Sequence, residues 1–307
     1  MTAAAQRKPV SGLSRWWKKY GSGCLFVAPF VILYTVFIIL PVIMSFIMSF
    51  SFYNLIQPAK FIGFTNYQTL FMEDDVFLIS LKNTFVFVFI TGPIGLLLSF
   101  LMAWLINNMK GKNAFALGFY APSITSASTM SVIWLYIFSS DRYGLINNIL
   151  FNLGIIDQPI LWVTNPDTIM LVIIVISLWM SMGTGFLVFL AGFQNISAEL
   201  YEAASVDGIS NRFQQLFYIT IPQMKPQILF GVINTMVSAF SVFDVSMSVC
   251  GLPSPNYAGH TIVAHLYDYA FIRYQMGYAS AIATVLFLIT FFFGRISMRL
   301  LSSRAET

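Results

Sequence analysis

Six long stretches without a charged side chain divide the sequence: Tyr20 to Ala59, Asn83 to Met109, Asn113 to Ser140, Thr168 to Ala198, Pro226 to Phe243 and Tyr274 to Gly294. A helix needs about 20 apolar residues to cross the hydrocarbon core of a bilayer, and most of these stretches supply them. The fifth does so once Asp244 is included, running on to about Cys250. Barrel strands would instead alternate over segments of about ten residues, which these runs do not do. The pattern predicts an all-α membrane protein of six transmembrane helices at residues 20–300. A basic tail precedes them at 1–19 and a short tail follows at 301–307.

Composition agrees with that pattern. Of 307 residues, 58% are apolar and 9% charged, against roughly 25% charged in a soluble domain. Orientation follows from the cations, which favour the cytoplasmic face. With the N-terminus inside, most of the 16 Lys and Arg fall in cytoplasmic segments, while Glu73, Asp74, Asp75, Asp141, Asp157, Asp167 and Asp268 lie outside. Both termini are then cytoplasmic, as an even number of spans requires. Arg15-Trp16-Trp17-Lys18-Lys19-Tyr20 reads as an interfacial anchor ahead of the first span. The basic residues form no continuous patch with interleaved aromatics, so no nucleic-acid partner is expected.

Chemistry-bearing residues are few. Cys24 and Cys250 fall on opposite faces of this topology and are not expected to pair. No G-x-x-x-x-G-K-[ST] phosphate loop occurs, so any ATP and Mg2+ would be held by another subunit, with no cofactor bound by this chain. His260 and His265 with Asp268 are spaced poorly for one helical face, and no metal site is expected there. Two histidines leave little scope for acid–base catalysis, and no catalytic residue is assigned.

One polar segment, residues 199–226, stands out between the fourth and fifth runs. Ser197 is placed to cap a short helix with Glu199 in its first turn, and Gly208 to stop it in a left-handed conformation. Ser210 is placed to cap a second helix ended by Pro222. Leu200, Ala203 and Ala204 share one face of the first helix. Phe213, Leu216, Phe217 and Thr220 form a stripe on the second. The segment reads as an elbow of two helices with a docking face.

The string E-A-A-x-x-D-G, followed 14 residues after its glycine by proline, resembles the coupling loop of ABC importer permeases at Glu202, Ala203, Ala204, Asp207, Gly208, Phe213 and Pro222. Ile209 stands where that family usually has a small residue. Phe61-Ile62-Gly63-Phe64-Thr65-Asn66-Tyr67 is similar to the F-x-G-x-x-N-Y segment of the carbohydrate-uptake branch, which includes the maltose and glycerol-phosphate permeases. Phe243-Asp244 with Cys250-Gly251-Leu252-Pro253 resembles that branch's F-D…T-x-G-G-P segment, lacking the threonine and one glycine.

The resemblance implies a type I ABC importer permease fold in a bacterial or archaeal cytoplasmic membrane. It also implies a second homologous permease, two ATPase subunits, one of them coupled through the 199–226 loop, and an extracytoplasmic solute-binding protein. A translocation path near the midplane is implied too. Polar stripes at that depth are Ser177, Ser181 and Thr184 in the fourth run and Asn234, Ser238 and Ser241 in the fifth. Hydroxyls and amides suit a neutral sugar, with Trp179 and Tyr136 as aromatic faces. The same residue types also serve helix packing and bonding to the carbonyl four residues back. Gly183 and Gly185 read as points of close helix contact, and Asp244 as a structural or gating group. Glycerol phosphate, another polar solute or an ion-coupled secondary transporter remain alternative readings.

Overall fold

The computed structural model describes residues 12–181, 183–209 and 211–302. The first span is α1 (Gly12–Tyr34), a π-helical turn (Thr35–Ile39) and α2 (Leu40–Met48). A hairpin of β1 (Ser51–Phe52) and β2 (Lys60–Phe61) and the short α3 (Thr65–Met72) lead to the long α4 (Asp75–Asn107). Next come α5 (Lys112–Ile124), α6 (Ala127–Ile137), α7 (Leu145–Asn152), α8 (Pro166–Met180) and α9 (Thr184–Gln194). The 199–226 region holds α10 (Ala198–Val206), α11 (Arg212–Gln215), a second π turn (Leu216–Thr220) and α12 (Ile221–Gln223). The chain ends with α13 (Lys225–Phe240), α14 (Asp244–Cys250), α15 (Ile262–Tyr267), a third π turn (Asp268–Ile272) and α16 (Met276–Ser302).

Among the described residues, five helical runs are long and apolar enough to cross a membrane: Lys19–Met48, Asp75–Asn107, Pro166–Gln194, Lys225–Cys250 and Met276–Arg299. The remaining expected span, 113–140, is helical but interrupted. Thr125 and Ser126 take extended backbone angles, and the Ser126 hydroxyl caps α6 by accepting from the Thr129 N–H. A serine cap offers the backbone an alternative to continuing the helix, which hydropathy alone does not register.

The helix α4 is the axis of the molecule, packing against α8, α9, α13 and α15. It threads three buried clusters: Phe77 with Leu70, Ile262 and Ile282; Phe87 and Val88 with Ile169, Ile173 and Phe240; Ala103 and Ile106 with Phe186, Phe189 and Met224. In lipid such contacts are held by van der Waals packing, since the tails are as apolar as the side chains. The backbones approach closely where no side chain intervenes. A Cβ at Gly231 would lie 2.7 Å from the Phe189 ring.

The F-x-G-x-x-N-Y segment has a structural job. The Asn66 amide donates to the carbonyls of Ser49 (2.8 Å) and Ser51 (3.0 Å), and the Tyr67 hydroxyl donates to Ser49 Oγ at 2.6 Å. These bonds satisfy carbonyls left open where the first span ends. The π turns at Thr35–Ile39 and Leu216–Thr220 share a second device. Each closes with an N–H reaching back five residues, Leu40 to Thr35 and Ile221 to Leu216, and a proline follows at once. The widened turn lets helix continue past Pro41 and Pro222.

Candidate functional site

The elbow forms largely as its residues suggest. The Ser197 hydroxyl accepts from the Glu199 N–H at 3.3 Å, and α10 ends at Gly208, whose φ is +88°. Beyond it the Ile209 N–H reaches back to the Ala204 carbonyl at 2.9 Å. Two expectations change. Ser210 lies outside the described residues, and the side chain that caps α11 is Asn211, which accepts from the Phe213 N–H at 3.0 Å. Pro222 does not end the second helix: the π turn carries the chain through it to Gln223.

The two arms are joined by the Tyr201 hydroxyl and Thr220 Oγ1, 2.9 Å apart. Nothing in the sequence marked Tyr201 for this. The expected stripe splits: Leu216 and Thr220 are buried with Ala204 and Met224, whereas Phe213 and Phe217 are exposed. Phe213 leans on Trp104 of α4, their ring centroids 5.7 Å apart. Glu202, Ala203, Asp207 and Gly208 face outward, beside Val206 (88% exposed) and Tyr218 (71%). The elbow therefore presents an acidic and apolar face while rooted under α4 and α9.

Three consecutive runs are broken. The third breaks at Thr125 and Ser126, the fourth at Gly183, and the fifth across Ser241–Phe243. A helix break inside a membrane frees backbone groups that must find partners. Ser99 of α4 donates to the Ser181 carbonyl at 3.3 Å, and Thr261 to the Val242 carbonyl at 2.9 Å. Asp244 sits in the first turn of α14, just past the fifth-run break, where the helix N-terminus favours a negative charge.

A cavity of about 370 Å3 opens where the breaks meet, lined by Phe87, Thr91, Ser123, Ser177, Met180, Ser181, Gly185, Asn234, Thr235, Ser238, Ala239, Val242 and Val245. Its polar groups are hydroxyls and one amide. They divide by their bonding. Thr91, Ser123 and Ser181 each donate to a carbonyl three or four residues back, those of Phe87, Tyr120 and Leu178. Ser177 Oγ is buried without a hydrogen-bond partner among the described residues, the condition in which a buried polar atom has most to gain from a ligand.

Four of the six path candidates thus converge: Ser177, Ser181, Asn234 and Ser238. Ser241 closes α13 at the break and is not among the lining residues. Thr184 begins α9, and its side chain lies outside the description. Thr91, Ser123 and Thr235 were missed, because they fall off the two stripes or on other helices. Trp179 and Tyr136 do not line the cavity; Trp179 stands edge-on to Trp134 with centroids 6.3 Å apart. Gly183 is a close contact as expected, since a Cβ there would collide with Ser123 Cβ. At Gly185 the nearest atom would be 3.7 Å away, and that glycine lines the cavity.

Comparison with known proteins gives the family and the fold. The family model described as the binding-protein-dependent transport system inner membrane component matches residues 83–307. A probable ABC transporter permease protein of Bacillus subtilis, YesP, is 38% identical over 87% of this chain and 86% of its own length. The arabinooligosaccharides transport system permease protein AraP of the same organism is 33% identical over 94% and 91%. The lactose transport system permease protein LacF of Rhizobium radiobacter is 32% identical over 87% and 89%. The fold matches that of a chain in a bacterial alginate ABC transporter crystallised with its alginate pentasaccharide-bound periplasmic protein. The TM-score is 0.80 at 22% identity, covering 95% of this chain and 99% of that one. With that fold, five long apolar spans and a family match over most of its length, this multi-pass chain belongs to the binding-protein-dependent transport system inner membrane components, the permease subunits of ABC transporters.

Proposed function

We propose that this chain is one permease of an ATP-driven importer for an uncharged sugar or oligosaccharide, and that the cavity at the three breaks is its share of the path. The carrying observation is the cavity's neutral polar lining, with Ser177 Oγ buried and unpartnered among the described residues. Sugar hydroxyls both donate and accept, as serine, threonine and asparagine side chains do. Glycerol phosphate would call for a cation, and no Lys or Arg is among the described residues that line the cavity. Relatives named for arabinooligosaccharide and lactose transport support the carbohydrate class.

A second, homologous permease completes the path. One of the importer's two ATPase subunits, which hold ATP and Mg2+, docks on the 199–226 elbow through Glu202, Ala203, Asp207, Gly208, Phe213 and Pro222, while the buried Ala204 shapes it from within. A solute-binding protein delivers sugar on the other face. Both termini, 1–19 and 301–307, lie in the cytoplasm of a bacterial or archaeal cell, flanking the membrane domain 20–300. The alginate ABC transporter of the same fold, crystallised with a periplasmic protein, supports this arrangement. Asp244 steadies the fifth-run break during gating.

The elbow and the cavity share two helices. Ser238 lies about 18 Å along α13 from Pro226, at 1.5 Å per residue, so displacement of the elbow tilts the cavity wall. Asn234→Leu and Ser238→Leu should each cut uptake about tenfold or more, in line with the loss of one or two hydrogen bonds to substrate. Complex assembly should be preserved. Transport of radiolabelled arabinooligosaccharide and lactose into proteoliposomes of the full complex checks this. Unchanged kinetics in both variants would remove α13 from the path.

A further inference from the structure

A second polar cluster lies at the end of the molecule opposite the elbow. His265 Nε2 is 2.9 Å from Asp74 Oδ2, and the Tyr278 hydroxyl donates to the same oxygen at 2.7 Å. These bonds tie α15 and α16 to the start of α4. His260 stands edge-on to His265, ring centroids 5.6 Å apart. Both its ring nitrogens, and Nδ1 of His265, are buried without a hydrogen-bond partner among the described residues. Tyr257 and Tyr269 pack on the two imidazoles. Arg273 lies over the Tyr269 ring and pairs with Asp268 at 2.8 Å. The charged and titratable groups facing His260 are thus His265, Asp268, Arg273 and Asp74, with Tyr257, Tyr269 and Tyr278 around them. From α4, Asn83 donates to the carbonyls of Tyr257 and His260, and Thr84 accepts from the Ile262 N–H.

The residue after His260 connects this cluster to the cavity. Thr261 caps α15 by accepting from the Ala264 N–H at 3.3 Å, and the same hydroxyl donates to the Val242 carbonyl at the fifth-run break. Ser246 of α14 adds a bond to the Gly259 carbonyl. Val242 lines the cavity. If residues 257–266 leave α4, the break loses the partner that satisfies its carbonyl.

We propose that His260 and His265 form a proton-operated catch, which holds residues 257–266 against α4 and, through Thr261, fixes the fifth-run break beside the cavity. A proton on His260 would put a charge into a buried site, with no acceptor for its N–H groups among the described residues. Burial first and the neighbouring His265 second hold His260 below its ordinary 6.5, at about 4. The sign follows. An opened segment titrates at the ordinary value, so the closed form has its full advantage above that pH and loses it progressively as pH falls toward 4. The catch rests on the proposed orientation only for which medium supplies the proton, namely the outside.

Hydrogen exchange tests the catch without reference to substrate. The assembled transporter in nanodiscs is exchanged at pH 7.5, 6.0 and 5.0, with α7, which carries no titratable side chain, as the internal reference for the intrinsic pH dependence of exchange. Protection of residues 261–266 should fall about tenfold or more between pH 7.5 and 5.0, since each pH unit between two pKa values changes the opening constant tenfold. Residues 242–247 should follow. His260→Asn, neutral throughout, should flatten the fall to under about threefold. Thr261→Val should loosen 242–247 at every pH and keep the fall in 261–266. Constant protection in the wild type, or an equal fall in His260→Asn, overturns the catch. The wild-type series decides alone if the variant does not assemble.

Discussion

Gly208→Pro should abolish transport while leaving the chain inserted in the membrane. Proline holds φ near −65°, and Gly208 sits at +88° on the far side of the Ramachandran map. The substitution also removes an N–H that donates to the Ser205 carbonyl. The cost, about 3 kcal/mol or more, falls entirely on the joint between α10 and α11. Gly208→Ala, with a left-handed penalty of about 1–2 kcal/mol, should give an intermediate defect. Glu202→Lys tests the same face without strain: Glu202 is exposed, so reversing its charge should weaken ATPase docking and spare the fold. The check is co-purification of the ATPase with each variant, alongside uptake. Normal values of both for Gly208→Pro and Glu202→Lys would sink the docking role of the elbow.

The largest stability effect is expected from Asp74→Ala. Asp74 accepts from His265 and Tyr278 through one oxygen and caps α4 through the other, taking the Phe77 N–H at 2.9 Å. Burial alone would raise its pKa, but the bonds from His265, Tyr278 and Phe77 hold its carboxyl well below the usual carboxylate range. Removing it leaves two buried donors unpaired and an uncapped helix, a loss of roughly 3–5 kcal/mol by analogy with breaking a buried charged pair. Asp74→Asn keeps an acceptor for the cap and should lose distinctly less. The midpoint of thermal unfolding in detergent, at pH 7, ranks the three proteins. Because the folded pKa is depressed, the stabilisation is present above the ordinary carboxylate value of 3.8 and is lost only as pH falls below it. Acid loss between pH 6.5 and 4 therefore belongs to His260 and not to Asp74. Equal midpoints for wild type and Asp74→Ala at pH 7 would show the cluster to be incidental.

What could be read in advance depended on range along the chain. The long spans were legible because a bilayer demands contiguous apolar length, which hydropathy measures directly. The first arm of the elbow was legible because Ser197 and Gly208 act within one or two turns of themselves. The breaks were not, since a serine cap at Ser126 or a few non-helical residues around Gly183 scarcely alter an apolar average. Pro222 misled for a related reason: a proline ends a helix unless the preceding turn widens, and the π turn at Leu216–Thr220 has no residue signature of its own. The convergence of Ser177 with Asn234 and Ser238 needed the packing of both α8 and α13 on α4. The bond between Asp74 and His265 spans 191 residues, so nothing local in the sequence pairs them.

The first span carries a consequence for how the protein is made. It is the most apolar of the five long spans, and none of its most apolar stretch is buried against the rest of the chain. Its α2 segment packs on α16, a helix made much later, so the nascent span has no early tertiary partner to wait for. It can enter the bilayer from the translocon alone, and Lys18 and Lys19 beside it then set the sense in which later segments are threaded. Lys225–Cys250, the fifth of the six expected spans, is the least apolar of the five long ones and holds a break whose carbonyl is met by Thr261, a residue made later. Biogenesis is therefore committed at the first helix and remains reversible at the fifth, where membrane quality control should find a misassembled chain.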